Sequence, residues 1–274
     1  MYESLVYNIP IKLIDDYRGR NVIVRSSAPE EIVNCLKRSD PTNIRFIQLL
    51  STPDDTSALE GSGQHLPIEI VLKDPVAEFV KLYNYPNLLD THPVRIAIPV
   101  LPGFSKAVKL AVSLDFAVKL EMEQPDSFLV EELMTALDFY LHRSVVRQPI
   151  EFFQTILLSF YRHEPFSLWA VAEEDSTVVR YITDDGQETI SKRFAGAHLE
   201  YSLDDFVELF GQQLISEKRE CHECEFFNRC GGYFKWPDQN YKCDGIKKLF
   251  HTLQSAADEV KQDLAAYEVA GAKA

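Results

Sequence analysis

The run Val94-Arg95-Ile96-Ala97-Ile98-Pro99-Val100 is one of five short, apolar and mostly β-branched stretches that decide the fold of this chain. The other four occupy residues 21–25, 44–50, 68–72 and 116–120. Such runs are typical of strands that are buried on both faces of a sheet. Helical patterns separate most of them, so the sequence predicts successive right-handed βαβ units and a parallel sheet.

The segments around these strands complete the predicted architecture. We expect an irregular segment over residues 1–20 and a loop over residues 51–67. Helices are predicted over residues 29–38, 75–83, 104–113, 127–143, 149–161, 202–215 and along an apolar stripe over 246–267. A sixth strand is predicted over residues 167–172, and a hairpin over 178–183 and 188–192 turns at Asp185-Gly186. Because five or six βα units cannot close an eight-stranded barrel, the predicted α/β fold is a partial (β/α) barrel or an open parallel sheet.

Composition limits the classes of partner. The chain has 274 residues, of which 46% are apolar and 26% charged, as in ordinary globular proteins. Its formal net charge of −14 disfavours nucleic acid, since phosphate binding needs a basic face. The acidic surface either aids solubility or attracts a basic partner or peptide. With no long apolar stretch and no basic leader, we expect a cytoplasmic protein that does not enter the membrane.

Four of the five cysteines cluster near the end of the chain. Cys221, Cys224, Cys230 and Cys243 follow the pattern C-x2-C-x5-C-x12-C. A tight C-x2-C turn aims two sulfurs at one point, and the other two can complete a four-thiolate metal site. Both zinc and an iron–sulfur cluster accept four thiolates. The neighbouring aromatic residues favour a water-excluded redox cluster. Two disulfides are the weaker alternative, because nothing marks the chain as secreted.

The motif C-x2-C-x5-C-G-G with a more distant fourth cysteine resembles the C-terminal SPASM domain of radical SAM peptide-modifying proteins. The resemblance covers roughly residues 180–245 and includes the Asp184-Asp185-Gly186 turn and the run Ser202-Leu203-Asp204-Asp205-Phe206. It implies one auxiliary 4Fe–4S cluster held by Cys221, Cys224, Cys230 and Cys243. It also implies a partial (β/α)6-like barrel over residues 1–175 and a SPASM-like iron–sulfur domain with a C-terminal helix over 176–274.

The departures from that family concern its other clusters. Phe234 stands where a family cysteine serves a second auxiliary cluster, and Ile190, Ser191 and Lys192 stand where the strand after the hairpin turn carries another cysteine. Radical SAM catalysis also requires a C-x3-C-x2-C loop after the first strand. The segment after the first predicted strand, residues 25–30, contains no cysteine. The chain therefore resembles a radical SAM protein without its catalytic cluster.

No other catalytic motif stands out. Nucleotide-binding glycine loops, H-E-x-x-H and G-x-S-x-G are all absent from the sequence. We expect Cys35 to be a small buried apolar residue and His222 to be solvated rather than a ligand.

Three hypotheses follow. The first is an accessory iron–sulfur protein of a peptide-modification system, which relays electrons or holds a peptide and works with a peptide or protein partner, such as a radical SAM maturase. The second is a structural zinc or iron–sulfur scaffold that mediates protein contacts. The third is an enzyme at the mouth of the barrel, where the candidate polar residues are Arg25, Ser26, Asp54, Asp74 and Glu121.

Overall fold

The structure, a computed structural model, describes residues 5–38, 43–60 and 65–271. It is a mixed α/β fold built on one sheet whose strands are mostly parallel. The strands are β1 Val6–Pro10, β2 Asn21–Ser26, β3 Ile44–Leu49, β4 Ile68–Val71, β5 Val94–Pro99, β6 Ala117–Glu121, β7 Val179–Ile182 and β8 Glu188–Thr189. They lie in the order β6-β5-β4-β3-β2-β1-β7-β8.

Helices fill the connections between the strands. The α-helices are α1 Pro29–Leu36, α2 Ser57–Glu60, α3 Pro75–Glu78, α4 Phe104–Ser113, α5 Ser127–His142, α6 Glu151–Arg162, α7 Leu168–Val171, α8 Phe206–Ser216, α9 Phe227–Cys230 and α10 Asp244–Gly271. Short 3-10 helices cover Ile11–Tyr17, Phe79–Asn84, Pro86–Asp90, Lys192–Phe194, Glu220–Glu223 and Tyr233–Lys235. Local sequence sets several starts: the carboxylates of Asp74 and Asp126 cap α3 and α5 by accepting backbone N–H bonds.

The topology separates the two faces of the sheet. Strands β1 to β6 lie side by side in chain order and all pair in parallel, β7 pairs in parallel with β1, and β8 is antiparallel to β7. Each crossover from β1 to β6 moves in the same direction, so right-handed connections place the helices on one face. Contacts of α1 with β2, of α4 with β5 and of α6 with β6 agree with this layer. We call the opposite side of the sheet the inner face.

Most of the predicted elements are confirmed. The five predicted strands are β2 to β6, and the predicted hairpin is formed by β7 and β8. The prediction for residues 1–20 is wrong in part, because β1 pairs with both β2 and β7. That strand is short, contains Asn8 and Pro10, and is joined to β2 by a 3-10 helix rather than an amphipathic α-helix. Within the predicted loop, α2 forms at residues 57–60, and residues 61–64 lie outside the described part.

The predicted sixth strand at residues 167–172 is wrong. This segment forms the short helix α7, and the sixth strand in chain order is β6. A short apolar run suits a buried helical turn as well as a buried strand. Here Leu168, Trp169 and Ala170 lack β-branching, and Trp169 is fully buried against aromatic rings rather than in the sheet.

One cluster of buried apolar side chains joins the sheet to the C-terminal elements. It includes Ile96 of β5, Phe153 of α6, Trp169 of α7 and Phe250 of α10. Helix α10 packs on α6 and α5, as its apolar stripe predicts. The division at residues 175 and 176 stays a prediction. Within the described residues, no helix has the length and apolar character needed to span a membrane.

Candidate functional site: a four-cysteine pocket

The four clustered cysteines line one pocket. Cys221 lies on the 3-10 helix Glu220–Glu223, and Cys224 follows at its end. Cys230 is the last residue of α9, and Cys243 directly precedes α10. The cavity between the lining atoms has a volume of about 20 Å³. The structure therefore brings together all four predicted site residues.

Apolar side chains form most of the remaining wall. They are Phe226, Phe227, Phe234, Ile246 and Phe250. The other wall residues are Lys235 and Lys247. A dry, aromatic surrounding of this kind lowers the local dielectric and thereby strengthens every charge interaction inside the pocket.

Two glycines give the chain its path around Cys230. Gly231 and Gly232 have φ angles of 56° and 77°, in the left-handed region that favours glycine. A Cβ atom on Gly232 would lie 2.4 Å from Cδ1 of the buried Leu214. This tight turn directs the backbone N–H groups of residues 232–234 to the sulfur of Cys230.

The four cysteines are thiols, not disulfides. Burial raises the pKa of Cys230 to about 11 and that of Cys243 to about 12. Backbone N–H groups lower the pKa of Cys230, and the charge of Lys235 lowers the pKa of Cys243, but burial outweighs both effects. Among the described residues, no group of three or more His, Cys, Asp or Glu side chains is close enough to hold a single metal ion. The four thiols thus line one pocket.

Hydrogen bonds fix the pocket to the segment after β6. The hydroxyl of Tyr233 donates to the carbonyl of Met122 at 2.6 Å, and that of Tyr241 donates to the carbonyl of Pro125 at 2.7 Å. The amide of Gln124 donates to the carbonyl of Phe234 at 2.9 Å. The cysteine segment is therefore held by the main structure on the side away from its sulfurs.

A second polar feature, missed in the sequence, runs across the inner face. Strand register places Asn8, Gln48, Glu69 and Arg95 on this face in successive strands. The amide of Asn8 donates to Gln48 at 3.3 Å, and that of Gln48 donates to Glu69 at 2.5 Å. Arg25 donates to the carbonyl and side chain of Asn8. The row is a chain of hydrogen bonds that runs from β1 to β4, in which the bond between Asn8 and Gln48 passes across β2.

The row ends in a cluster of ion pairs around Arg95. Its guanidinium contacts Glu69 at 2.5 Å, Glu151 at 2.9 Å and Glu173 at 2.6 Å. Glu173 also pairs with Lys119 of β6 at 2.5 Å. Although burial opposes the charge, Lys119 and Arg95 hold the pKa of Glu173 at about 2. Glu173 therefore stays ionised at neutral pH.

Glu173 reaches this network from an unusual backbone position. Its φ of 59° lies in the left-handed region, directly after α7 and its C-cap Ala172. The N–H of Glu174 donates to the carbonyl of Trp169 at 2.7 Å, and that of Glu173 to the carbonyl of Ala170 at 3.0 Å. This is the Schellman pattern, in which glycine normally takes the place of Glu173.

The five polar candidates for a mouth site are scattered. Arg25 is buried in the inner-face network, and Glu121 ends β6, where burial raises its pKa. Ser26 donates to Glu31, Asp74 caps α3, and Asp54 is exposed 3.7 Å from Lys81. The structure does not bring these five together as one site. His222 is exposed, as expected, and Cys35 is buried on α1.

The sequence carries a signal for the missed network. Each of the strands β2 to β6 contains at least one buried or half-buried polar residue on the same face. These residues are Arg25, Gln48, Glu69, Arg95, Lys119 and Glu121. Polar side chains inside strands that are otherwise apolar cannot stay unpaired. Comparing them across strands would have predicted a row.

Comparison of the chain with protein-family models, with curated proteins and with solved structures finds no match in any of the three. The interpretation of the site therefore depends on its residues and their geometry.

Proposed function

We propose that this chain is an accessory iron–sulfur protein of a radical SAM-type peptide-modification system, with one 4Fe–4S cluster held by Cys221, Cys224, Cys230 and Cys243. Its sheet corresponds in this proposal to a partial (β/α) barrel, and its cysteine segment to a SPASM-like domain. The observation that carries the proposal is the pocket itself: four thiols surround one space with apolar walls. When bound, such a cluster supplies one-electron transfer.

The surroundings of the thiols favour a cluster over zinc. All four cysteines line the same pocket, and the aromatic residues in its wall exclude water, a setting that tunes a redox cluster. The backbone N–H groups aimed at Cys230 suit a thiolate ligand, because hydrogen bonds to sulfur tune iron–sulfur clusters.

Two features support a role without catalysis. Neither the 3-10 helix Ile11–Tyr17 after β1 nor residues 27–30 after β2 contain a cysteine, so the motif for an open iron site is absent after either strand. On the inner face, Glu69, Arg95, Lys119 and Glu173 are bonded to one another. Side chains committed to mutual ion pairs are not free to bind a substrate.

The pocket also suits exchange of electrons with a partner. Cys224, Cys230 and Cys243 are half-buried residues, so the pocket lies near the surface of the chain. The net charge of −14 favours a partner with a basic face. A peptide with basic residues would be held by the same attraction.

Metal analysis under anaerobic conditions tests the proposal. We expect brown protein with about four irons and four sulfides per chain after reconstitution, as one cubane requires. Cys230→Ser should lose most of the iron, whereas Cys35→Ala, which alters the one cysteine outside the pocket, should keep it. Colourless wild-type protein with one zinc and no sulfide would refute the cluster and favour the scaffold hypothesis.

A second assay separates an accessory protein from an enzyme. If all four cysteines bind the cluster, no iron has an open position for S-adenosylmethionine. Incubation with dithionite and S-adenosylmethionine should therefore yield no 5′-deoxyadenosine above a metal-free control. Formation of this product would contradict the accessory role even if the iron content were as expected.

A further inference from the structure

A buried lysine forms part of the wall of the cysteine pocket. Lys235 is only 2% exposed, although lysine is almost never buried without a partner. Its ammonium group donates to Oε2 of Glu220 at 2.7 Å and to the carbonyl of Tyr241. The chain places this charge beside four thiols, in a wall that is otherwise apolar except for Lys247.

The carboxylate of Glu220 holds two lysines at once. Its Oε1 accepts from Lys247 at 2.6 Å, and its Oε2 accepts from Lys235 and, at 3.4 Å, from the backbone N–H of Cys243. Two ammonium groups against one carboxylate leave one positive charge in excess. Both lysines line the pocket, whereas Glu220 is not among its lining residues. The stems of both lysines therefore form part of the pocket wall, and Glu220 holds their ammonium groups at its edge.

We propose that Lys235 and Lys247, held in place by Glu220, form a fixed counter-charge that raises the reduction potential of a cluster in this pocket. The inference rests on the proposed function. Four thiolates around a cubane core with two positive charges carry a net charge of −2, and one-electron reduction makes it −3. A nearby cation favours the more negative state, and the apolar wall strengthens the effect.

The two lysines do not contribute equally. The side chain of Lys235 is 3% exposed, whereas that of Lys247 is 28% exposed and more strongly screened by water. Lys235 is therefore the main positioning residue for the potential. A purely structural Lys235 would affect only the stability of the fold, because removing one partner of a buried ion pair is destabilising.

Redox titration of the reconstituted protein, followed by electron paramagnetic resonance with dithionite as the electron donor, tests the proposal. For Lys235→Met we expect the equilibrium constant for reduction to fall about tenfold, a decrease of about 59 mV for one electron. Lys247→Met should shift the potential in the same direction but by less. Lys119→Met is the matched control, because Lys119 is also a buried lysine paired with a glutamate but does not line the pocket. Its potential should equal that of the wild type.

Glu220→Gln gives the opposite test. It removes the negative charge of the triad but keeps a side chain of the same shape, so the potential should rise. If the Lys235→Met protein takes up no iron, the reduction potential of Glu220→Gln is compared with that of the wild type instead. Equal potentials in iron-loaded wild type and Lys235→Met, or in wild type and Glu220→Gln, would overturn the inference and leave the cluster proposal intact. Absence of iron in the wild type would refute the cluster proposal itself.

Discussion

Replacing Glu173 by glycine separates backbone strain from charge in the inner-face network. Glycine relieves the left-handed conformation at φ 59°, a gain of about 1 kcal/mol. It also removes the carboxylate that contacts Lys119 at 2.5 Å and Arg95 at 2.6 Å. Breaking a buried pair on one side costs about 3–5 kcal/mol. Because the Glu173 side chain is 26% exposed, we expect the loss of its ion pairs to cost about 2–3 kcal/mol in the free energy of unfolding.

The net result for Glu173→Gly is a loss of about 1–2 kcal/mol in the free energy of unfolding. Arg95 keeps Glu69 and Glu151, so the loss falls mainly on Lys119, whose other carboxylate, Glu69, is 3.9 Å away. Chemical denaturation at pH 7 measures the change directly. In a thermal scan, we expect Tm to fall by about 2–8 °C, since each kcal/mol shifts Tm by about 2–4 °C in chains of this size.

Lys218→Gly is the matched control for the backbone. Lys218 follows the C-cap of α8 with φ 51°, and it is exposed. Glycine there should stabilise the protein by about 1 kcal/mol, the opposite sign. Glu173→Gln, which keeps the strain and removes the charge, should be destabilised at least as much as Glu173→Gly. If Glu173→Gly were stabilised as much as Lys218→Gly, the ion pairs of Glu173 would contribute nothing to the stability of the fold.

Three further predictions concern neighbouring features. The pKa of Glu173 falls from its ordinary value of 4.5 to about 2 on folding. Its contribution to stability is therefore present above pH 4.5 and is lost as the pH falls toward 2. The Tm measured across this range should drop more steeply in the wild type than in Glu173→Gln. Gly232→Ala should destabilise the protein by about 2 kcal/mol or more and reduce iron uptake in metal analysis, because its Cβ meets Leu214 at 2.4 Å and φ is 77°. Tyr233→Phe leaves the carbonyl of Met122 without its 2.6 Å bond and should cost about 1–3 kcal/mol in denaturant titration, while a variant as stable as the wild type would show that the bond contributes nothing.

The sequence predicted the parallel strands well, because their apolar runs report burial on both faces. It could not predict β1, since only pairing with the distant β7 and with β2 makes a strand of Val6–Pro10. Residues 168–171 were predicted as part of a strand but form the helix α7, because a run of four apolar residues fits both the helical and the strand period. The spacing of the four cysteines predicted that they would lie together, and they line one pocket, while the metal stays a prediction. The place of Lys235 in the pocket wall could not be predicted, because nothing in the sequence shows which lysine is buried.

The helix α7 connects the two polar features of the molecule. On one side, Glu173, the residue after the C-cap of α7, places its carboxylate in the inner-face network. On the other, Glu174 accepts from Nε of Arg193 at 2.8 Å, and the guanidinium of Arg193 lies 4.3 Å from the ring centroid of Tyr233. The indole N–H of Trp169 donates to the carbonyl of Gly231 at 3.0 Å, next to Cys230. The strained backbone after α7 is therefore held from both sides. In the proposed function, the ion pairs of the inner face stabilise the frame on which the cysteine segment is built.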